Sequence, residues 1–200
     1  MTPEDEAEIV RLLRESRDRS RGYADFFLWA VDRDLEEWGV VTALAESLEQ
    51  ERCLFFSDII SRRRPNDPPD CEARDHGGAR LAIEVTELVD GNAIHNSKKA
   101  MEENLAPDWA EWPRDKFLSR LGMRITTKDS RHPELKDPPY RGGYVVVVHT
   151  DEIALGRDTV AAYFKDYRFP KPNHIARAFL LLSYDPTIER CPFFELQFDG

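Results

Sequence analysis

The sequence predicts an α/β protein with a mixed central sheet flanked by helices. Three observations carry this expectation. Amphipathic helical stretches alternate with strand-sized apolar runs, Asp75-His76-Gly77-Gly78 reads as a hairpin turn, and the unbroken run Tyr144 to Val148 is a strand covered on both faces. Two hundred residues, 41% hydrophobic and 33% charged, suit one such domain and leave no room for wholesale disorder.

The elements follow in chain order. Over 3–17, Ile9, Leu12 and Leu13 recur at helical spacing among charges, and Pro3 suits a first helical turn. Residues 23–38, with Phe26, Phe27, Trp29, Ala30 and Leu35 between Gly22 and Gly39, read as a second helix. Together they are expected to form an N-terminal helical extension over 1–40, ahead of a main domain over 41–200, with no linker between them. Residues 42–63 read as one long helix with Leu44, Leu48, Phe55 and Ile59 on one stripe. Glu51 falls within that stripe, either as a site residue or as a side chain snorkelling or pairing with an arginine.

Pro65, Pro68 and Pro69 break that helix and lead into Asp70, which begins or precedes a strand through Cys71, Glu72 and Ala73. The next strand covers 79–89. One face carries Leu81, Ile83, Val85 and, at its end, Glu87; the other carries Ala82, Glu84, Thr86 and Leu88. Glu84 is therefore a carboxylate embedded in a buried-looking strand. A short helix over 96–104 precedes Trp109 and Trp112, and Pro113 opens a helix to Lys128. On that helix Phe117, Leu121, Arg124 and Lys128 lie near one line, which puts Lys128 on the apolar side. A helix over 158–167 and closing strands over 176–184 and 193–198 complete the pattern.

Composition narrows the function classes. Twenty-eight Lys and Arg against 38 Asp and Glu give a net charge of −10, which argues against a non-specific DNA-coating protein. It leaves room for an enzyme with acidic metal ligands and a local basic strip. Arg62-Arg63-Arg64 is the conspicuous basic run, read as a solvated helix end or as a phosphate contact. No apolar run approaches the roughly 20 residues of a membrane span. The acidic start, Met1-Thr2-Pro3-Glu4-Asp5-Glu6, has no signal-peptide pattern, so the expected compartment is the cytoplasm. Cys53, Cys71 and Cys191 lack CxxC spacing and read as reduced thiols. The sequence holds no P-loop, GxGxxG, HExxH or GxSxG motif.

The chemistry-bearing constellation is Asp70 with Glu84. They stand fourteen residues apart on neighbouring strands joined by the Gly-Gly turn, so their carboxylates can approach one point. Hard oxygen donors of this kind suit Mg²⁺ or Mn²⁺, with the Val85 carbonyl as a third protein ligand. A bound ion of this type activates water and polarises a phosphate.

Pro69-Asp70 followed by Ile83-Glu84-Val85-Thr86 resembles the core signature of the PD-(D/E)xK nuclease superfamily, which includes many restriction endonucleases. The resemblance covers roughly 42–149. It implies a restriction-endonuclease-like core, a metal-dependent endonuclease activity on nucleic acid with DNA favoured, and a place for Glu51 as a further metal-associated carboxylate. The family's lysine would stand at position 86, where this chain has Thr86. Either the lysine has moved to another element, with Lys128 the candidate ahead of Lys98 and Lys99, or the site has lost activity and only binds. A snorkelling Lys128 is the bland alternative. On the first reading Asp70, Glu84, Lys128, Glu51 and Thr86 form the catalytic set. On the second, the chain is a catalytically silent fold that binds a protein or nucleic acid. A third reading pairs the carboxylates structurally with Arg62, Arg80 or Lys128.

Lesser candidates are His149-Thr150-Asp151-Glu152 as metal ligands, the single loop histidines His76 and His95, and Tyr140, Tyr144, Trp109 and Trp112 as base-stacking aromatics. Many enzymes of this resemblance are dimers, but no exposed apolar stripe in the sequence defines a homodimer interface.

Overall fold

A computed structural model describes residues 8, 10, 11, 23, 24, 26, 27, 32–103 and 109–200, with the backbone alone at 101 and 102. Among them the chain forms α1 (Arg33–Gln50), β1 (Phe56–Ser61), β2 (Cys71–Asp75), β3 (Arg80–Glu87), α2 (Gly91–Glu102) and α3 (Arg114–Ser130). A 3-10 turn (His132–Glu134), β4 (Gly143–Thr150), α4 (Arg157–Phe164), β5 (Ile175–Leu182) and β6 (Phe193–Glu195) follow. The six strands lie in chain order in one open sheet. β3–β4 and β4–β5 pair parallel, and the other three pairs are antiparallel. The mixed α/β architecture expected from the sequence is the one observed.

Each face of the sheet has its own core. Val40, Val41, Leu44 and Leu48 of α1 pack on Leu81, Ile83, Val85, Val145, Val147 and Phe179. On the opposite face, Phe117, Leu118, Leu121 and Ile125 of α3 and Val160 of α4 pack on Ala82, Val146, Val148 and Leu180. The alternation read in β3 is thus realised, with Leu81, Ile83 and Val85 toward α1 and Ala82 toward α3. β4 is buried at seven of its eight positions, as a strand covered on both sides requires.

Two glycines make the sheet's tight connections. Gly78 takes φ 80° in the β2–β3 turn, where Asp75 Oδ1 accepts from Gly77 N at 2.9 Å and Ala79 N at 2.8 Å. Gly142 passes so close to the start of β3 that a Cβ there would stand 3.0 Å from both the Arg80 oxygen and Leu81 Cγ.

The N-terminal half departs from the sequence reading. The expected helix over 42–63 does not exist as one element: α1 spans Arg33–Gln50, and 56–61 is an edge strand. The helix stops in a Schellman arrangement without glycine, in which Arg52 takes φ 57°, Arg52 N donates to the Glu49 oxygen and Cys53 N to the Leu48 oxygen, both at 2.9 Å. Phe55 and Ile59 therefore pack on the core from β1 and its approach, not from a helical stripe. Of the helix expected over 23–38, the described residues are helical from Arg33, while Tyr23, Ala24, Phe26 and Phe27 lie in bends. The domain boundary expected at 40/41 falls inside α1, where Val40 and Val41 are both fully buried. The expected helix over 3–17 lies outside the described residues except at Glu8, Val10 and Arg11, which are helical. α2 starts earlier than expected, because Asp90 Oδ1 caps Asn92 N at 2.9 Å and Ala93 N at 3.2 Å.

Phe179 is fully buried, stacks 5.8 Å from Phe55 and meets Phe193 at 6.3 Å. Phe179→Ala should lower unfolding free energy by about 3–5 kcal/mol in urea titration. Ile60→Ala on the exposed edge strand should change it by less than about 0.5 kcal/mol. Equal effects of the two changes would contradict this assignment of the core.

Candidate active site

The β2–β3 register builds the site. Cys71 pairs with Ile83 and Glu72 with Ala82, so one more antiparallel step sets Asp70 opposite Glu84. Asp70 Oδ2 accepts from Val85 N at 2.7 Å, and the Asp70 carbonyl accepts from Arg62 N at 3.0 Å, which holds Asp70 at the head of the ladder. Lys128 arrives from the other side, on the buried stripe of α3 with Phe117, Leu121 and Ile125. Its Nζ forms a hydrogen-bonded ion pair with Glu84 Oε2 and lies 3.8 Å from Asp70 Oδ2. All three residues are buried, at 7% exposure for Asp70, 3% for Glu84 and 8% for Lys128.

Four hydrogen bonds fix the end of α3 that carries the lysine. Tyr144 of β4 donates through its hydroxyl to the Lys128 carbonyl at 3.1 Å. The adjoining Asp129 carboxylate accepts from the backbone N–H of Asn173, His174 and Ile175 at 2.9, 2.8 and 3.2 Å. Burial opposes the Asp129 charge, but those three donors outweigh it and hold its pKa below the ordinary carboxylate value.

A cleft of about 330 Å³ opens beside the triad, walled by Arg33 and Glu37 of α1, Val85 and Thr86 of β3, and Arg124 and Lys128 of α3. Asp70 and Glu84 lie behind Lys128 and do not line it. Glu37 is buried and bonded to Arg33 Nε at 2.6 Å; burial raises its pKa despite that partner. Among the described residues the Arg124 guanidinium has no ion-pair or hydrogen-bond partner. The electrostatic centre of the site is Asp70. Burial first, then the charge of Glu84, push its pKa up to about 7, more than the attraction of Lys128 can offset.

The structure thus brings together Asp70, Glu84, Lys128, Val85 and Thr86. It does not bring Glu51 with them. Glu51 caps the end of α1, about 21 Å along the helix from Glu37 at roughly 1.5 Å per residue, and pairs with Arg190 at 2.6 Å. The buried α1 carboxylate at the cleft is Glu37, seven residues before Leu44 on the buried stripe, whereas Glu51 stands seven after it. The helix reaches Glu37 because it runs straight through Gly39, a residue that ordinarily punctuates a helix. Arg124 reaches the cleft because it stands one turn before Lys128 on α3, a spacing visible in the sequence.

The remaining candidates have structural partners or lie elsewhere. Lys98, Lys99 and His95 are exposed on α2, and the His76 ring contacts the Leu54 carbonyl at 2.9 Å. Arg62 and Arg80 both bond Glu72 rather than Asp70 or Glu84, and Arg80 also covers the Tyr140 ring at 4.7 Å. Asp151 accepts from Phe27 N at 2.9 Å and from Ser183 Oγ at 2.8 Å. Glu152 accepts from Asp90 N at 2.7 Å and from the Tyr23 hydroxyl. These two carboxylates fasten the stretch holding Tyr23 and Phe27 to the strand ends. His149 lines the cleft and packs edge-on to Phe27 at 5.2 Å. Trp112 and Tyr144 belong to the core, while Trp109 is exposed. The three cysteines are free thiols, and burial pushes Cys71 up to about 12.

Among the described residues no three or more His, Cys, Asp or Glu side chains gather as a metal-ligand group, and no helix is long and apolar enough to cross a membrane. No family model, curated protein or solved structure matches the chain.

The raised pKa of Asp70 has a stability consequence. An unfolded chain releases this proton near pH 4 and the folded chain near pH 7, so folding is increasingly penalised as pH rises between those values and fully penalised above them. Asp70→Asn removes the penalty and keeps an oxygen for Val85 N. In metal-free buffer the variant should be more stable than the parent at pH 8, by on the order of 2 kcal/mol, with the gain gone at pH 4. Thermal melts at both pH values check this; a variant no more stable than the parent at pH 8 contradicts the buried-charge account.

Proposed function

We propose that the cleft is the centre of a metal-dependent phosphodiesterase acting on nucleic acid, with DNA favoured, and that the sheet with α1 and α3 is a restriction-endonuclease-like core. The observation that carries this reading is the meeting of Asp70, Glu84 and Lys128, drawn from three separate elements into one buried position at the edge of a cleft. An ion pair of purely structural use needs one carboxylate. The second leaves an excess negative charge where burial makes it costly, the kind of local conflict that concentrates at functional sites.

The residues fit Mg²⁺ or Mn²⁺ in donor chemistry. Asp70 and Glu84 supply hard oxygens, the Val85 carbonyl is the third donor, and a divalent charge can take the place of the proton that burial and the Glu84 charge hold on Asp70. When bound, the ion polarises a phosphoryl oxygen and acidifies a water. The chain's own residues do the rest. Lys128, on a flexible four-carbon stem, offsets the charge that develops on the phosphate, as the lysine at position 86 would do in the resembling family. Arg124, one turn earlier on α3, holds a non-bridging phosphate oxygen from the cleft wall. The Thr86 hydroxyl orients the attacking water, and Glu37 is the outer carboxylate in place of Glu51.

One observation favours the silent-fold alternative: Lys128 is engaged with Glu84, and the carboxylates do not line the open cleft. On that reading the triad is a buried ion network and the cleft binds without cutting.

Cleavage of labelled DNA in Mn²⁺ separates the two. Asp70→Ala and Glu84→Ala should abolish cleavage while the proteins remain folded. Lys128→Met should bind Mn²⁺ at least as tightly as the parent yet cleave roughly 10²–10³-fold more slowly. Cleavage retained in both carboxylate variants, or a parent that cuts no DNA or RNA with either ion, sinks the hydrolase reading.

A further inference from the structure

The basic run at 62–64 is not one surface. Arg62 is committed to Glu72, Asp137 and the Asn66 carbonyl, and Arg64 stands 3.9 Å from Asp34. Arg63 is exposed, has no partner among the described residues, and holds a left-handed backbone at φ 45°, a conformation that a non-glycine residue keeps only where its surroundings impose it. Arg63 and Ser61 line a groove of about 330 Å³ with Leu35 and Trp38, which sit one turn apart on α1, and with Asp34. Trp38 is 40% exposed and Leu35 41%, in an α1 whose other large apolar side chains are buried.

Groove and cleft share the first turns of α1 but open on different sides of it: Asp34, Leu35 and Trp38 face the groove, Arg33, Glu36 and Glu37 the cleft, and Arg64 and Lys128 both act on the Glu37 carboxyl. Arg64, beside the groove, offsets the Asp34 charge, which leaves Arg63 as the uncompensated charge of its lining in a chain of net charge −10. A flat indole, an aliphatic edge, one unpaired guanidinium and one hydroxyl form a small set of complementary groups. The indole offers a stacking face to any base, and the guanidinium offers a fork to the adjoining phosphate.

We propose that this groove is a nucleotide subsite for single-stranded nucleic acid, in which a base stacks on Trp38 and its phosphate meets Arg63. The proposal rests on the nucleic-acid reading of the cleft and gives that substrate a form. Duplex bases present no free faces to an indole, and a rigid duplex needs a wide basic footprint, whereas a flexible strand can wrap around the N-terminal end of α1 from the groove to the cleft. The shared chemistry is base plus phosphate, so DNA and RNA strands are separate arms of the test.

The test is fluorescence anisotropy of end-labelled oligo-dT, oligo-U and a duplex of equal length, titrated with the full chain in EDTA at several salt concentrations. The parent should bind a single strand more tightly than duplex. Trp38→Ala should weaken single-strand binding roughly five- to hundredfold, with Trp38→Phe recovering most of it. Arg63→Ala should reduce the slope of log affinity against log salt by about 0.7. Both positions are solvent-facing, so the melting temperature should hold in each variant.

Unchanged affinity in both variants, preference for duplex, or no binding by the parent overturns the proposal. A parent dimer that Trp38→Ala converts to monomer, with oligonucleotide affinity unchanged, assigns the groove to a second copy and also overturns it. Cleavage of the same oligonucleotides in Mn²⁺ keeps the two readings apart: cleavage with binding indifferent to Trp38 and Arg63 removes only the subsite, and groove-dependent binding without cleavage removes only the hydrolase.

Discussion

One ammonium held against two carboxylates, out of water, is the constraint around which this structure is organised. Lys128 is within salt-bridge distance of both Asp70 and Glu84, and each member comes from a different element. Burying any one of these charges alone costs several kcal/mol, so the three are tolerable only together and only if their backbones cannot drift apart. The fold supplies that rigidity. β3 is pinned between β2 and β4, and the end of α3 is tied to β4 through the Tyr144 hydroxyl and to the start of β5 through Asp129.

The charge count then shapes the chemistry. Burial, and then the charge of Glu84, keep the proton on Asp70 to about pH 7 against the pull of one lysine, and burial raises Glu37, nearby on α1, despite the cations around it. A site with spare hard oxygens and surplus negative charge is suited to a divalent cation. The same surplus makes unaided capture of a polyanion unfavourable, so arginines have to do that work. Among the described residues, Arg124 on the cleft wall and Arg63 in the groove on the other side of α1 are not taken up by ion pairs, while Arg62 and Arg80 are absorbed by Glu72.

Much of this geometry was legible in the sequence, for reasons that are local. The Gly-Gly turn fixed the β2–β3 register, and strand alternation set Glu84 on the face toward α3. Helical periodicity brought Lys128 onto the buried side of α3. The errors were also physical. The stop after Gln50 carries no glycine or proline; its left-handed residue is Arg52, and Phe55 and Ile59 keep a helical spacing beyond the true end. Gly39 looked like a boundary, yet its helix cost of about 1 kcal/mol is outweighed by burial of Val40, Val41 and Leu44. Those two misreadings together moved the α1 carboxylate from Glu37 to Glu51. Asp129 with 173–175, and Glu152 with Tyr23, are pairings across the chain for which no spacing rule exists.

The central claim is that the buried carboxylate pair exists to hold a divalent cation. Isothermal calorimetry of Mn²⁺ into the parent and Glu84→Ala proteins, without nucleic acid and at pH 6 and 8, addresses it most directly. The account predicts saturable binding in the parent that weakens at pH 6, where Asp70 retains its proton, and that vanishes in the variant. Heats that are absent from the parent, or the same in both proteins, would contradict it.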